Sequence, residues 1–169
     1  MKTLFTFFLG FSLFSVPNSY TVKTDAVKIT FLADMQKTEG SIGGFEAKIK
    51  FDSNNLMNSN IEGSVDVSTL KTGVKKRDEH LKSSDFFDVE KFPKMTFKST
   101  NIQKEGGLFV VYGTMKIKET ERKEKITFRF ENNIFTAETI IQAANYKFGY
   151  EKKKPEKTDV KINFLIPVH

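Results

Sequence analysis

The chain contains no cysteine and no tryptophan, and two histidines, one of them the terminal His169. Without cysteine there can be no disulfide, no thiolate-bound zinc or iron–sulfur cluster, no thiol nucleophile and no lipid-modified cysteine anchor. His80, the lone internal imidazole, excludes a multi-histidine metal site. A nucleophile-elbow Gly-x-Ser-x-Gly is also missing, which leaves serine hydrolysis without its usual starting point. No apolar run reaches the roughly 20 residues that a bilayer-spanning helix needs. What is present is ordinary for a folded soluble domain: 38% hydrophobic and 28% charged residues, with 27 Lys and Arg against 21 Asp and Glu for a formal charge of +6. That balance excludes a disordered chain and a bundle of membrane helices.

The first 19 residues differ from the rest. Lys2 supplies a positive start, and Thr3 to Val16 then carries no charge and is dominated by Phe and Leu. A run of this kind fits the ~7–15-residue core of a secretory signal peptide. Ser15-Val16-Pro17-Asn18-Ser19 suits a cleavage region, although no clean Ala-x-Ala occurs. The other readings are a buried strand or an uncleaved anchor. The expected organisation is a removed leader over 1–19 and one domain over 20–169, in the periplasm or the medium. Five of the 18 Phe (Phe5, Phe7, Phe8, Phe11 and Phe14) leave with the leader, and the remainder must build a core that has no disulfide to help it.

From residue 20 onward the hydrophobic pattern has period two. Val27, Ile29 and Phe31 alternate with Lys28 and Thr30, and Phe45, Ala47, Ile49 and Phe51 alternate with Glu46, Lys48 and Lys50. Similar runs start at Ile61, Met95, Phe109, Ile126, Ile134 and Val160. Each places apolar side chains on one face and polar ones on the other. Turn-forming stretches such as Asp52-Ser53-Asn54-Asn55, Glu105-Gly106-Gly107 and Glu131-Asn132-Asn133 separate them, and short connections of this type imply antiparallel hairpins. The fold is therefore read as all-β, an antiparallel barrel of about eight strands, with a β-sandwich as the competing architecture.

The pattern breaks over residues 74–94. Lys76 to Ser83 has helix formers and no β-branched residue, which predicts a short helix, and Pro93 holds the chain extended before the next strand. Between them, Phe86, Phe87 and Phe92 occupy a connection that would normally be polar. Three rings in one loop need burial, and the end of the sheet is the place available.

This segment, Arg77-Asp78-x-His80-Leu81-x-Ser83-x-Asp85-Phe86-Phe87-Asp88-x-x-x-Phe92-Pro93-x-Met95-x-Phe97-x-Ser99, closely resembles the signature of the YceI-like family, whose members are also described as polyisoprenoid-binding, lipocalin-like proteins. Gly44-Phe45 with Ile49-x-Phe51-Asp52, Val65-x-Val67-x-Thr69-Leu70-x-Thr72-Gly73, and Gly113-x-Met115-x-Ile117 extend the likeness over nearly all of 20–169. Two places depart from it. Lys118 to Lys125 replaces a Gly-containing turn, and Lys147 stands near where the family commonly has an Arg before its aromatic-Gly pair, here Phe148-Gly149. If that Arg touches a head group, the contact is weakened or replaced here. The resemblance implies an extended lipocalin-like antiparallel β-barrel of eight strands whose apolar tunnel holds a long isoprenoid chain. An isoprenoid tail needs a continuous apolar lining and little polar geometry. Taken by themselves, the same residues would equally fill a solid core.

On this reading the ligand-binding candidates are Phe45, Phe51, Phe86, Phe87, Phe92, Phe97, Phe128 and Phe148, with Arg77, His80, Lys82 and Lys147 as head-group contacts. His80 has a plainer reading as a capping or solvent-facing residue, or one paired with Asp78 or Asp85. Asp78, Asp85 and Asp88 match no EF-hand or glycosidase spacing and are expected to cap the helix and satisfy loop amides. The basic clusters Lys75-Lys76-Arg77, Arg122-Lys123 and Lys152-Lys153-Lys154 are interleaved with acids, the last two being read as solvated loops. The expected partner is an isoprenoid lipid, either a polyprenyl phosphate or an isoprenoid quinone. Peripheral membrane contact and a homodimer are compatible with the sequence. Nucleic acid, a metal and any cofactor beyond the lipid are not expected. The rival functions are an enzyme acting on such a lipid through His80, and a stress-related protein-interaction module with a packed interior.

Overall fold

The computed structural model describes residues 17–147 and 154–169. Within them the period-two runs form antiparallel strands: β1 (Asn18–Tyr20), β2 (Lys28–Ala33), β3 (Thr38–Phe51), β4 (Asn60–Lys71), β5 (Lys94–Glu105), β6 (Leu108–Ile117), β7 (Thr120–Glu131), β8 (Ile134–Gln142) and β9 (Asp159–Pro167). A short helix, α1 (Lys75–Lys82), lies between β4 and β5 where the sequence predicts one. Strand order runs β3-β2-β9-β8-β7-β6-β5-β4, and β4 pairs back onto β3. The sheet is therefore a closed eight-stranded barrel with β1 as an extra strand, and the sandwich alternative is set aside. Closure satisfies both edges of the sheet, which an open antiparallel sheet must protect by other means.

β3 begins at Thr38, well before the alternation that starts at Phe45. Its early half carries Gly40, Gly43 and Gly44 and shifts register against β4 between Ser41 and Gly43 and again between Gly43 and Glu46. Gly44 sits at φ +61, and a Cβ added there would lie 2.5 Å from Asp66 Cβ, so the bulge needs glycine. Bulges interrupt period two, which is why this half of the strand does not read as one. β2 covers only the first part of β3, with Thr30 to Ala33 against Thr38 to Ser41. At the far end of the same strand β1 takes over, pairing Asn18 with Phe51 and Tyr20 with Ile49. Thr21 and His169 then exchange two backbone hydrogen bonds of 3.0 Å, tying the entry of the barrel to its last residue. The sheet thus takes in Asn18 and Ser19 from the segment read as leader.

The β7–β8 ladder runs only from Thr127/Glu138 to Glu131/Ile134. Beyond it side chains span the seam: Thr139 Oγ1 donates to Lys125 O at 2.7 Å, Tyr146 OH to Glu124 Oε1 at 2.7 Å, and Arg122 Nε to Asn145 O at 3.1 Å. Burial, with the Glu124 hydrogen bond second, pushes the Tyr146 hydroxyl's ionisation far upward, so it remains a donor.

The barrel packs most tightly at its two ends. At one, Phe51 is 1% exposed and meets Phe109, Phe128, Phe130 and Phe135 edge-on at centroid distances of 5.0–5.6 Å. At the other, beside α1, Val67, Leu70, Phe86, Phe87, Met115 and Tyr146 belong to a second cluster. Between them, two inward rings rest on glycines of neighbouring strands, Phe31 on Gly40 and Phe97 on Gly113. Neither glycine has room for a methyl, since a Cβ would fall on the ring and 2.6 Å from Lys71 O or 2.5 Å from Lys98 O.

Two stability outcomes follow from this packing. Phe51→Ala should cost about 3–5 kcal/mol in a urea titration, because it empties the centre of the aromatic end. Gly113→Ala should cost about 1–3 kcal/mol, since the backbone oxygen of Lys98 cannot retreat as a side chain could. An unchanged midpoint for Gly113→Ala would show that the strands can part there.

Candidate functional site

The middle of the barrel is hollow. A cavity of about 320 Å³ lies between the two packed ends, at the lower limit of the roughly 300–1,000 Å³ typical of ligand pockets. Its wall is overwhelmingly apolar and draws on inward positions from β2 through β9, among them Ile29, Ile49, Met95, Ile126, Ile162 and Phe164. The alternation that builds the sheet also builds this wall, because every second residue must point inward. A solid core, open as a possibility from composition, is not what these residues make.

Five of the eight Phe singled out from the sequence line the cavity: Phe45, Phe86, Phe87, Phe97 and Phe128. Phe51 points inward as expected but belongs to the aromatic end and is not part of the lining. Phe92 is half-buried and outside the lining, with Lys91 Nζ 5.0 Å and Lys118 Nζ 5.8 Å from its ring centre. It is thus a cation–π partner for two lysines, where burial in the barrel end was expected. Phe148 lies outside the described residues. Phe31, Phe135 and Phe164 line the cavity without having been singled out. The signal for Phe31 and Phe164 was already in their alternating runs.

The 83–92 loop brings Phe86 and Phe87 into the interior by satisfying its own backbone. Phe86 N–H donates to Ser83 O at 3.1 Å, Phe87 N–H to Leu81 O at 3.0 Å, and Asp88 N–H to Ser83 O at 2.8 Å. Lys118, in the turn that departs from the family pattern, donates from Nζ to Phe86 O at 2.9 Å. It also adopts the left-handed φ of 53 that a glycine would take more easily. The missing glycine is thereby exchanged for a side chain that clamps the loop.

Of the four proposed head-group residues, Arg77 and His80 reach the cavity wall, whereas Lys82 and Lys147 are not among its lining. His80 is exposed, so the lining runs out to the surface beside α1, and its ring stands 6.0 Å from that of Phe86. Arg77 is partly engaged, with Nε donating to Thr72 Oγ1 at 2.7 Å and Nη2 to Thr72 O at 3.0 Å. Asp78 completes this knot by accepting from Thr72 N–H at 2.8 Å and from its hydroxyl at 2.5 Å. Those bonds, the hydroxyl first, hold the Asp78 carboxyl below its usual range. Asp78 therefore locks α1 onto the end of β4; it does not cap the helix, whose N-cap Val74 makes no side-chain bond. Among the described residues, Thr38 Oγ1 and Asp159 Oδ1 are buried side-chain oxygens without a hydrogen-bond partner. Among the described residues no cluster of three or more His, Asp or Glu could hold a metal ion.

Comparison with known proteins agrees with this architecture. The chain is 33% identical over 78 residues to the UPF0312 protein plu2095 of Photorhabdus laumondii, a match covering 46% of this chain and 41% of that protein. The aligned stretch thus spans about two-fifths of that relative. Among solved structures, BcnA of Burkholderia cenocepacia superposes with a TM-score of 0.77 at 23% identity, covering 88% of this chain and 99% of that one. A polyisoprenoid-binding domain from Saccharophagus degradans gives 0.60 at 13% identity, covering 87% and 95%. At such identities the likeness is one of fold. The model of the YceI-like domain matches residues 20–168, essentially the whole barrel, and the chain belongs to the YceI-like family.

Proposed function

We propose that this protein is an exported carrier that holds a long isoprenoid lipid, a polyprenyl phosphate or an isoprenoid quinone, inside its barrel. The observation that carries the reading is the hollow middle: a cavity of about 320 Å³, walled by Phe, Ile, Val and Met side chains and reaching the surface beside α1. An empty apolar cavity forfeits dispersion contacts along its whole lining, and a flexible methyl-branched chain restores them. Burial at about 25 cal/mol per Å² of apolar surface supplies affinity without charged contacts. The Saccharophagus degradans domain, described as polyisoprenoid-binding and sharing this fold, supports the same ligand class. Phe45, Phe86, Phe87, Phe97 and Phe128 are the rings we assign to the tail, with Arg77 and His80 at the rim. This is binding rather than turnover, because the interior holds a chain by burial.

Export rests on the charged start at Lys2 and the uncharged run from Thr3 to Val16. The pairing of Asn18 and Ser19 with β3 favours a cut ahead of β1, which keeps that strand whole. Intact-mass measurement of the protein recovered from the cell envelope or the medium is expected to show a chain that has lost this segment.

Native mass spectrometry of gently purified protein, followed by lipid extraction, should find a polyprenyl lipid or quinone in near one-to-one amount. Ala137→Phe, which pushes a ring into the cavity wall, should lower the bound fraction at least tenfold while leaving the circular-dichroism spectrum that of the barrel. Protein that carries no lipid and takes up neither polyprenyl phosphate nor quinone would overturn the carrier reading.

A further inference from the structure

The end of the hollow away from α1 is shut by rings. Phe128 and Phe135 line the cavity, and both also pack against Phe51, at centroid distances of 5.4 and 5.6 Å. Phe51, Phe109 and Phe130 stand behind them, outside the lining. Phe109 stacks on Phe128 at 5.3 Å, and Phe130 stacks on Phe135 at 4.3 Å. The two lining rings are each 3% exposed, so they make a floor that is braced from below. Strand β9 gives the depth above it. Val160, Ile162, Phe164 and Ile166 all line the cavity. Ile166 lies opposite Phe135 at the floor, and Val160 lies opposite Ile141, which belongs to the cluster beside α1. That stretch of strand covers about 20 Å, which the usual tilt of barrel strands reduces to about 15 Å of height. An extended isoprenoid advances by four bonds per unit, about 5 Å.

We propose that Phe128 and Phe135 are specificity-determining residues that fix how much of the tail the barrel encloses, about three to four isoprene units. This rests on the carrier reading and adds the length selectivity of the same pocket. The tail end meets the floor, and the last enclosed unit lies level with Arg77 and His80 in the lining beside α1. Each unit taken in exchanges water for apolar wall and tightens binding. Units beyond the limit stay on the α1 side of the lining and contribute little. The floor can impose such a limit because each of its rings is held by two others, Phe128 by Phe51 and Phe109, and Phe135 by Phe51 and Phe130. Rings packed at this density do not make room without a cost.

Prenols of two to eight isoprene units serve as probes, presented from cyclodextrin and compared by displacement of a fluorescent prenol. In the parent protein each added unit up to the fourth should tighten binding at least about fivefold, and each unit from the sixth onward by less than about twofold. Phe135→Ala removes a floor ring and opens room for about six carbons, so the limit should rise by about one unit. Ile166→Phe lifts the floor from the adjacent strand and should lower the limit by about one unit. This second variant decides the matter if Phe135→Ala fails to give the barrel's circular-dichroism spectrum. Affinity that keeps climbing through eight units in the parent protein would overturn the proposal, and so would a limit unmoved in a variant that folds. A parent protein that binds no prenol of any length would instead refute the carrier reading, so the two failures are distinguishable.

Discussion

Everything in this molecule follows from closing eight long strands into one barrel. Once β4 returns to β3, the sheet has no open terminal strand, β1 covering the end of β3 that β2 does not reach, and half of all strand positions must face a space whose width the strand number sets. An interior of that width can be filled by side chains or left with room for a small ligand, and here the middle is left open. Here the ends are filled by two different devices, an aromatic cluster around Phe51 and a loop that turns Phe86 and Phe87 inward. The hollow between them is what remains.

The two ends are not equivalent, and their difference gives the cavity a direction. The Phe51 end consists of edge-to-face rings, reinforced by β1 and by the mutual bonds of Thr21 and His169. The α1 end is assembled from smaller and more local pieces: the Thr72–Arg77–Asp78 knot, the self-satisfied turns of 83–92 and the Lys118 clamp. Local hydrogen bonds of this kind open more readily than a packed aromatic core. The end where His80 is exposed is therefore the one that opens more readily.

Much of the fold was legible in the sequence, because period two survives wherever a strand is regular. Every alternating run from Val27 to Ile166 became a strand, and the helix-forming stretch before Ser83 became α1. Legibility failed where the strand is bulged, as in the first half of β3, and where a strand is too short for a pattern, as in β1. The site was less legible. Alternation says that a ring points inward but not how far along the barrel it lies, so Phe51 and Phe128 look alike in sequence although only Phe128 lines the cavity. Phe92 differs from Phe86 and Phe87 because two lysines hold its ring at the surface, an arrangement that depends on Lys118 from a different hairpin.

By itself the sequence determined the strand alternation, the absence of thiol and multi-histidine chemistry, and the aromatic loop with its family signature. These are local properties, written in spacing and residue type. Only the tertiary structure decided that the interior is hollow, that Asp78 fastens the helix instead of capping it, and that Lys118 stands in for a turn glycine. Each of these depends on which strands are neighbours across the closed barrel, a relation between residues far apart in the chain that no local pattern records.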